Sequence, residues 1–109
     1  MTFTEFYNSI LGTTIKSPDG LPYPLTKVQF KKGEIITKYG EIETAVYFLN
    51  SGMLEMTLKS YMTEKVIDFF FENEMFTSLT SFLTRQPSDV QMKALTDCET
   101  EKILHEDLM

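Results

Sequence analysis

The sequence predicts a mainly β fold, a sandwich or rolled barrel with short flanking helices. After residue 26 the chain is a series of short segments rich in β-branched and aromatic residues, separated by glycines or polar turns. Strands this short and closely spaced are typical of all-β architectures and not of alternating βαβ units. In one segment Leu54, Met56 and Leu58 alternate with polar residues, which is the period of a strand with one buried face.

Two helical segments accompany the predicted strands. Thr2 and Glu5 have the spacing of a capping box, and Gly12 suits the left-handed end of the same helix. This helix carries an apolar stripe that must pack on something, formed by Phe3, Phe6, Tyr7, Ile10 and Leu11. Prolines make 13–26 a loop, and a second, shorter helix is predicted at 77–83. The strands are predicted at 28–30, 34–37, 45–50, 53–60, 65–71, 89–95 and 99–104.

Composition predicts one globular domain that does not itself contact nucleic acid. The 109 residues suffice for a single core, and the hydrophobic fraction of 42% lies in the globular range. The net charge is −6, and Lys31 and Lys32 are the only adjacent basic pair. Because capture of a phosphate backbone needs clustered Lys and Arg, we expect no direct DNA binding by this segment.

The chain contains one cysteine, Cys98, and one histidine, His105. A single thiol excludes an intrachain disulfide and an iron–sulfur cluster, and it favours a reducing, cytoplasmic location. We interpret Cys98 as a buried structural thiol and His105 as a surface residue. No metal site is predicted, because the spacing of the acidic residues matches no calcium loop. We expect a solvated charged face from Glu72, Glu74, Glu99, Glu101, Glu106 and Asp107.

Neither catalysis nor membrane insertion is predicted. The sequence has no nucleophile–base set, glycine-rich nucleotide loop or supported pair of carboxylates, so no catalytic residue is assigned and the protein is expected not to be an enzyme. Its first residues lack a basic region followed by a long apolar run. They are therefore neither a signal peptide nor a membrane span.

Three stretches of the sequence carry a further pattern. Glycines 33, 40 and 52 punctuate residues 30–52, and the stretches 65–70 and 93–103 follow. Together they resemble the cyclic nucleotide-binding fold of Crp/Fnr-type transcription regulators over about residues 27–107. The resemblance implies a double-stranded β-helix, or jelly-roll-like β-roll, at 27–109, with a helix and loop at 1–26 packing on it.

The resemblance also implies a ligand site and shows where this chain departs from it. In the family a short helix starts inside the roll, a Gly-Glu pair binds the ribose, and an arginine pairs with the cyclic phosphate. Thr77 and Ser78 occupy the positions of the family's Gly-Glu pair, and Ser88 and Asp89 occupy the positions of its Arg-Ser pair. The candidate ligand-binding residues therefore form a degenerate phosphate cassette of Thr77, Ser78, Leu79, Thr80, Arg85, Ser88 and Asp89.

These departures predict poor binding of cyclic AMP. Ser78 supplies no carboxylate, Ser88 supplies no cation, and Asp89 adds charge of the wrong sign. An unpaired phosphate in such a pocket loses on the order of 2–5 kcal/mol, enough to turn micromolar affinity into roughly millimolar. Arg85 is the nearest cation that could substitute. The cofactor is therefore unknown, with a cyclic nucleotide suggested by the family and disfavoured by these residues.

Two groups of residues have both a ligand-binding and a structural interpretation. Hydroxyls at the second helix could bind a small anion or polar effector, but we favour their capping the helix. They belong to Thr77, Ser78, Thr80, Ser81 and Thr84. An apolar cluster could line an effector pocket, but we favour a place in the core. It consists of Phe69, Phe70, Phe71, Met75 and Phe76.

The resemblance implies the effector-sensing domain of a transcription regulator. A small-molecule effector would act by shifting a conformational equilibrium. In the full-length protein we expect a homodimer that contacts DNA only through a C-terminal domain missing here. Residues 105–109 read as the first turn of a helix, so we expect the chain to be truncated. The alternatives are a ligand-free structural or dimerisation scaffold, or the regulatory domain of another effector protein.

Overall fold

The computed structural model describes residues 1–108, which form two four-stranded antiparallel sheets and three short helices. The strands β1 to β8 are, in chain order, Thr26–Phe30, Ile35–Thr37, Ala45–Ser51, Leu54–Ser60, Thr63–Phe70, Met75–Phe76, Val90–Ala94 and Cys98–Leu104. The helices α1 to α3 are Phe3–Leu11, Leu79–Thr84 and His105–Leu108, and a 3-10 turn lies at Pro18–Gly20. The mainly β fold is confirmed. Of the predicted final helical turn at 105–109, residue 109 lies outside the described residues.

Strand order explains how the chain forms a roll. One sheet has the order β1-β8-β3-β6 and the other has the order β2-β7-β4-β5. Apart from the β4–β5 hairpin, successive strands alternate between the sheets, so the chain winds around one shared interior. This winding is the double-stranded β-helix expected from the resemblance.

The interior of the roll is built on the alternation of β3. Ala45, Tyr47 and Leu49 point into it, while Phe48 points to the opposite face, and all four are buried. Around the inward three lie the other members of the core cluster, Leu54, Phe76, Met92, Ala94 and Cys98. Because β3 is buried on both faces, it carries the main core and a second apolar cluster behind it.

Helix α1 packs on the outer face of β3. The sequence predicts its capping box correctly and its apolar stripe only in part. The capping box is confirmed, with 3.1 Å between the Glu5 N–H and Thr2 Oγ1 and 3.1 Å between the Thr2 N–H and Glu5 Oε1. Phe3 packs against Phe48, with ring centroids 5.9 Å apart. The predicted stripe is wrong at its far end, because Ile10 and Leu11 are 66% and 57% exposed.

The predicted acidic face is wrong for Glu101. This residue is buried, and its Oε1 accepts hydrogen bonds from the Phe3 N–H at 2.9 Å and from Asn50 Nδ2 at 2.7 Å. The carboxylate therefore satisfies a free backbone donor at the start of α1. It ties that helix to β8.

The predicted aromatic core is also only partly correct. Phe76 is buried and Phe70 packs against the core, but Phe69 and Phe71 are exposed by 46% and 53%. Phe70 faces the core, so Phe69 projects from the opposite face of β5, an exposed edge strand, and Phe71 lies just beyond the end of that strand. The short strand β6 was not predicted. None of the helices within residues 1–108 has the length and apolar character needed to cross a membrane.

Candidate functional site

The candidate site is the segment of residues 77–89, which we call the cassette. Its position is set by β6, where Phe76 pairs with Tyr47 and Met75 pairs with Phe48 of β3. Thr77 and Ser78 are thereby brought beside the start of β3. Helix α2 follows and ends at Arg85, whose left-handed backbone (φ 62°) turns the chain toward β7.

A buried carboxylate, that of Glu43, lies at the start of the cassette. Glu43 is 3% exposed, and Thr37 Oγ1 lies 3.0 and 3.2 Å from its two carboxylate oxygens. The Ser78 N–H donates to Oε1 at 3.1 Å and the Thr44 N–H donates to Oε2 at 3.2 Å. Thr77 Oγ1 is 3.3 Å from Oε1, but its single proton has a shorter acceptor in the Ala45 carbonyl at 2.8 Å.

The backbone of Glu43 contacts the rest of α2. Its N–H donates to Ser81 Oγ at 2.9 Å, and its carbonyl accepts from Arg85 Nη1 at 2.8 Å. The guanidinium of Arg85 also lies 3.5 Å from the Phe82 carbonyl. Residue 43 therefore contacts the beginning, middle and end of this short helix.

Ser78 and Ser88, where the resemblance predicts departures from the family, are bonded to each other. Ser78 Oγ and Ser88 Oγ are 2.7 Å apart and both residues are buried. Ser88 donates its hydroxyl proton to the Val90 carbonyl at 2.7 Å, so the shared contact is a donation from Ser78 to Ser88. The interpretation that the hydroxyls of this region cap α2 is wrong, because its N-cap residue Ser78 makes no side-chain capping bond.

Arg85 is exposed although its guanidinium contacts Glu43, and the remaining candidate residues lie on the surface without such a contact. Leu79 is 59% exposed, and Thr80 and Asp89 are exposed as well. The structure thus brings Thr77, Ser78, Arg85 and Ser88 together with Glu43, and it leaves the other three cassette candidates outside this cluster. Open space is found next to Arg85, in a shallow pocket of about 240 Å³ lined by Thr44, Arg85, Leu104, His105 and Glu106.

Sequence reasoning assigned no role to Glu43. A signal for it exists next to β3, because Glu43 lies two positions before the strand whose residues 45, 47 and 49 are buried on its inward side. An acidic residue two positions before a run of inward apolar residues is therefore a candidate buried carboxylate. Recognising its donors requires the fold, since Ser78 is 35 positions away.

The charges of this region affect Tyr47, which lies in the core beside the cassette. Burial, together with the negative charges of Glu43 and Glu41, raises the pKa of Tyr47 to about 12. The ring stacks on Phe76 with centroids 4.9 Å apart and an interplanar angle of 5°. Tyr47 therefore stays a neutral phenol at neutral pH.

Cys98 and His105 have the structural surroundings of packing residues. The predicted buried thiol is confirmed, and burial raises the pKa of Cys98. His105 is half-buried, with its ring edge-on to Phe82 at 4.8 Å. Within residues 1–108 no group of three or more His, Cys, Asp or Glu side chains is arranged to hold a metal ion. A separate cleft of about 840 Å³ lies away from the cassette, between α1 and strands β1 and β8.

Comparison with solved structures shows the same fold in regulatory proteins. The catabolite activator protein of Thermus thermophilus matches with a TM-score of 0.71 and 20% identity over 77% of this chain and 39% of that chain. A regulatory subunit of a cAMP-independent protein kinase A from Trypanosoma cruzi, bound to guanosine, matches with a TM-score of 0.71 and 22% identity over 77% of this chain and 30% of that chain.

Sequence comparison identifies a family and one curated relative. A voltage-gated inwardly rectifying potassium channel of Gallus gallus is 30% identical over 78 residues, which are 71% of this chain and 6% of the channel. The chain thus spans well under half of each of these three proteins. Residues 27–109 match the family model of the cyclic nucleotide-binding domain, a regulatory fold. Because this match covers most of the chain and agrees with the winding of its two sheets, the chain belongs to the cyclic nucleotide-binding domain family.

Proposed function

We propose that the chain is the effector-sensing domain of a Crp/Fnr-type transcriptional regulator, not an enzyme, with a degenerate phosphate site that binds cyclic AMP poorly. The observation that carries this proposal is the buried bond between Ser78 and Ser88. Where a cyclic AMP site of this family needs a carboxylate and a guanidinium, two hydroxyls are bonded to each other. The two hydroxyls therefore provide neither the negative charge for the ribose nor the positive charge for the phosphate of a nucleotide.

Arg85 is a poor substitute for the missing arginine. Its guanidinium already donates to the carbonyl of Glu43, and its backbone ends α2 in the left-handed region. Turning it toward a phosphate would break that bond, and the carboxylate of Glu43 would remain nearby. Without a paired cation the expected loss is about 2–5 kcal/mol, or a weakening of affinity from micromolar to roughly millimolar.

An effector without a phosphate fits this site better. The Trypanosoma cruzi protein is described as cAMP-independent and is bound to guanosine, a nucleoside with no phosphate group. A neutral ligand of this kind needs no arginine. We therefore propose a small, uncharged effector for this chain, with nucleosides as the first class to test.

The other parts of the proposed function belong to the full-length protein. A homodimer in the cytoplasm would contact DNA through a C-terminal domain, since the sensor chain with its net charge of −6 repels phosphate backbones. The similarity to the catabolite activator protein supports this arrangement. Similarity to a kinase regulatory subunit and to a channel supports the alternative of a regulatory domain attached to another effector protein.

The test is thermal unfolding of the 109-residue chain with cyclic AMP, cyclic GMP, cyclic dinucleotides, small anions, adenosine and guanosine. A ligand at a hundred times its Kd contributes about 2.7 kcal/mol, and each kcal/mol raises the Tm of a domain this size by roughly 4–8 °C. We expect no such rise with millimolar cyclic AMP. A rise with cyclic AMP but not with adenosine would overturn the proposal, because it would require a working phosphate contact.

If no compound raises the Tm, the ligand-free scaffold becomes the better description. The coding sequence downstream of residue 109 separates the remaining alternatives. A helix-turn-helix pattern supports the transcriptional role, whereas a kinase or membrane-span pattern supports attachment to another effector.

A further inference from the structure

We propose that Glu43 is a specificity-determining residue whose carboxylate serves as a built-in anion beside the cassette, occupies the Ser78 N–H and two neighbouring donors, and excludes an external phosphate. This inference rests on the proposed function, because it names the residue responsible for poor binding of cyclic AMP. It concerns a residue for which the sequence pattern predicted no role.

The oxygens of the Glu43 carboxylate already have hydrogen-bond donors. Its donors come from three separate segments, namely Thr37 at the end of β2, Thr44 before β3 and Ser78 before α2. All of these contacts are O–H or N–H groups that donate, as an acceptor-only ionised carboxylate requires. The side chain is 3% exposed, so water does not replace these partners. The cassette thus holds an anion that the chain itself supplies.

None of the donors to the Glu43 carboxylate within residues 1–108 is charged. The hydroxyl of Thr37 and the two backbone N–H groups are neutral, and the guanidinium of Arg85 contacts the backbone carbonyl of Glu43 instead of its carboxylate. A phosphate entering the cassette would compete for the same donors and would face an uncompensated negative charge in a buried site. Like charges placed together in this way disfavour binding strongly.

The Glu43 carboxylate can be removed without removing the hydrogen bonds that join its backbone to α2 and Arg85. The bonds from residue 43 to Ser81 and Arg85 use its backbone N–H and carbonyl, which every substitution except proline retains. A side-chain variant therefore tests the carboxylate alone. Glu41 is a matched control, because it is acidic, exposed and close by, and within residues 1–108 its carboxylate accepts only from the Lys38 N–H at 3.1 Å.

The experiment compares wild type, Glu43→Ala, Glu43→Gln and Glu41→Gln by calorimetric titration of inorganic phosphate and of cyclic AMP in a chloride buffer. We expect weak or undetectable binding by wild type and Glu41→Gln. Phosphate affinity should rise on the order of tenfold to a hundredfold in Glu43→Ala, and by less in the bulkier Glu43→Gln. Circular dichroism checks that each variant is folded.

A second measurement covers a variant that is only marginally folded. If the carboxylate is the built-in anion, phosphate should raise the Tm of Glu43→Ala and Glu43→Gln relative to chloride, and it should not raise that of Glu41→Gln. Wild-type phosphate affinity in a folded Glu43→Ala variant overturns the inference. If that variant does not fold, Glu43→Gln decides in the same way. Strong binding of cyclic AMP by wild type would overturn the proposed function, whereas failure of both wild type and variants to bind overturns only the role of Glu43.

Discussion

The hydroxyl oxygens of Ser78 and Ser88 lie 2.7 Å apart in a buried contact that joins the start of α2 to the turn before β7. The Ser88 hydroxyl donates a hydrogen bond to the Val90 carbonyl, so the two hydroxyls form a chain of hydrogen bonds that ends on β7. This contact fixes the two ends of the cassette relative to each other.

Removing either serine hydroxyl should destabilise the domain. Ser88→Ala removes the partner of the Ser78 hydroxyl and of the Val90 N–H and carbonyl, which should cost about 1–3 kcal/mol, and Ser78→Ala should cost about 1 kcal/mol. Urea unfolding of both single variants and the double variant should give a coupling energy of about 0.5–1.5 kcal/mol. Thr80→Ala, at an exposed position of α2, is the control and should be near neutral. Strictly additive effects would show that the bond contributes nothing.

Gly52 should tolerate no side chain. Its φ is +101°, and an added Cβ would meet the Asp97 carbonyl oxygen and lie 2.8 Å from Cys98 Sγ. Backbone strain and overpacking together predict that Gly52→Ala lowers the free energy of unfolding by about 3–5 kcal/mol. Gly33 has a similar φ of +90° with nothing within 4 Å, so Gly33→Ala should show the strain alone, about 1–2 kcal/mol. Equal losses in the two variants, measured by denaturant unfolding, would contradict the predicted clash.

Stability should fall at alkaline pH through Tyr47. Burial raises its pKa to about 12, against an ordinary value of 10.0, so between these pH values the folded state keeps a proton that the unfolded state releases. The unfolding free energy therefore decreases as pH rises through this window, by on the order of 2 kcal/mol. Tyr47→Phe should lose this part of the slope in urea titrations at successive pH values. Tyr61→Phe, at a ring that is 99% exposed, is the control, and an unchanged slope in Tyr47→Phe would refute the assignment.

Thr4→Val should stabilise the domain. Thr4 Oγ1 is buried and finds no hydrogen-bond partner within residues 1–108, so its desolvation is uncompensated. Replacing the hydroxyl with a methyl group of similar size should raise the free energy of unfolding by about 1 kcal/mol. Thr4→Ser keeps the hydroxyl and removes the methyl, so it should be less stable than wild type. A loss of stability in Thr4→Val would indicate that an ordered water satisfies the hydroxyl.

Local sequence signals predicted those parts of the fold that depend on neighbouring residues. The capping box of Thr2 and Glu5 and the left-handed Gly12 act over a few positions, and both are present in α1. The alternation in β4 likewise identified the strand and its buried Leu54, but it was wrong for Thr57, which is buried on the polar side. Such features are encoded in short windows and need no knowledge of distant contacts.

The features that the sequence did not reveal depend on distant partners. Glu43 is buried because donors from Thr37 and Ser78 reach it, and Glu101 because the start of α1 lies over it. Phe69 is exposed because β5 is at the edge of its sheet, which is a property of strand order and not of composition. In the cassette, Ser78 and Ser88 were identified as candidate residues from the sequence, whereas their bond to each other required the fold.

Strand order also has a consequence for the newly synthesised chain. β1 pairs with β8 and β2 pairs with β7, so the first two strands find their partners only in the last two. Val28 and Thr100, joined across β1 and β8 by a hydrogen bond, are 72 positions apart. At about 5–20 residues per second, the ribosome needs roughly 4–14 s to bridge that separation. During this time the β4–β5 hairpin can already close, while the edges of β1 and β2 stay unpaired and open to chaperones or to other nascent chains.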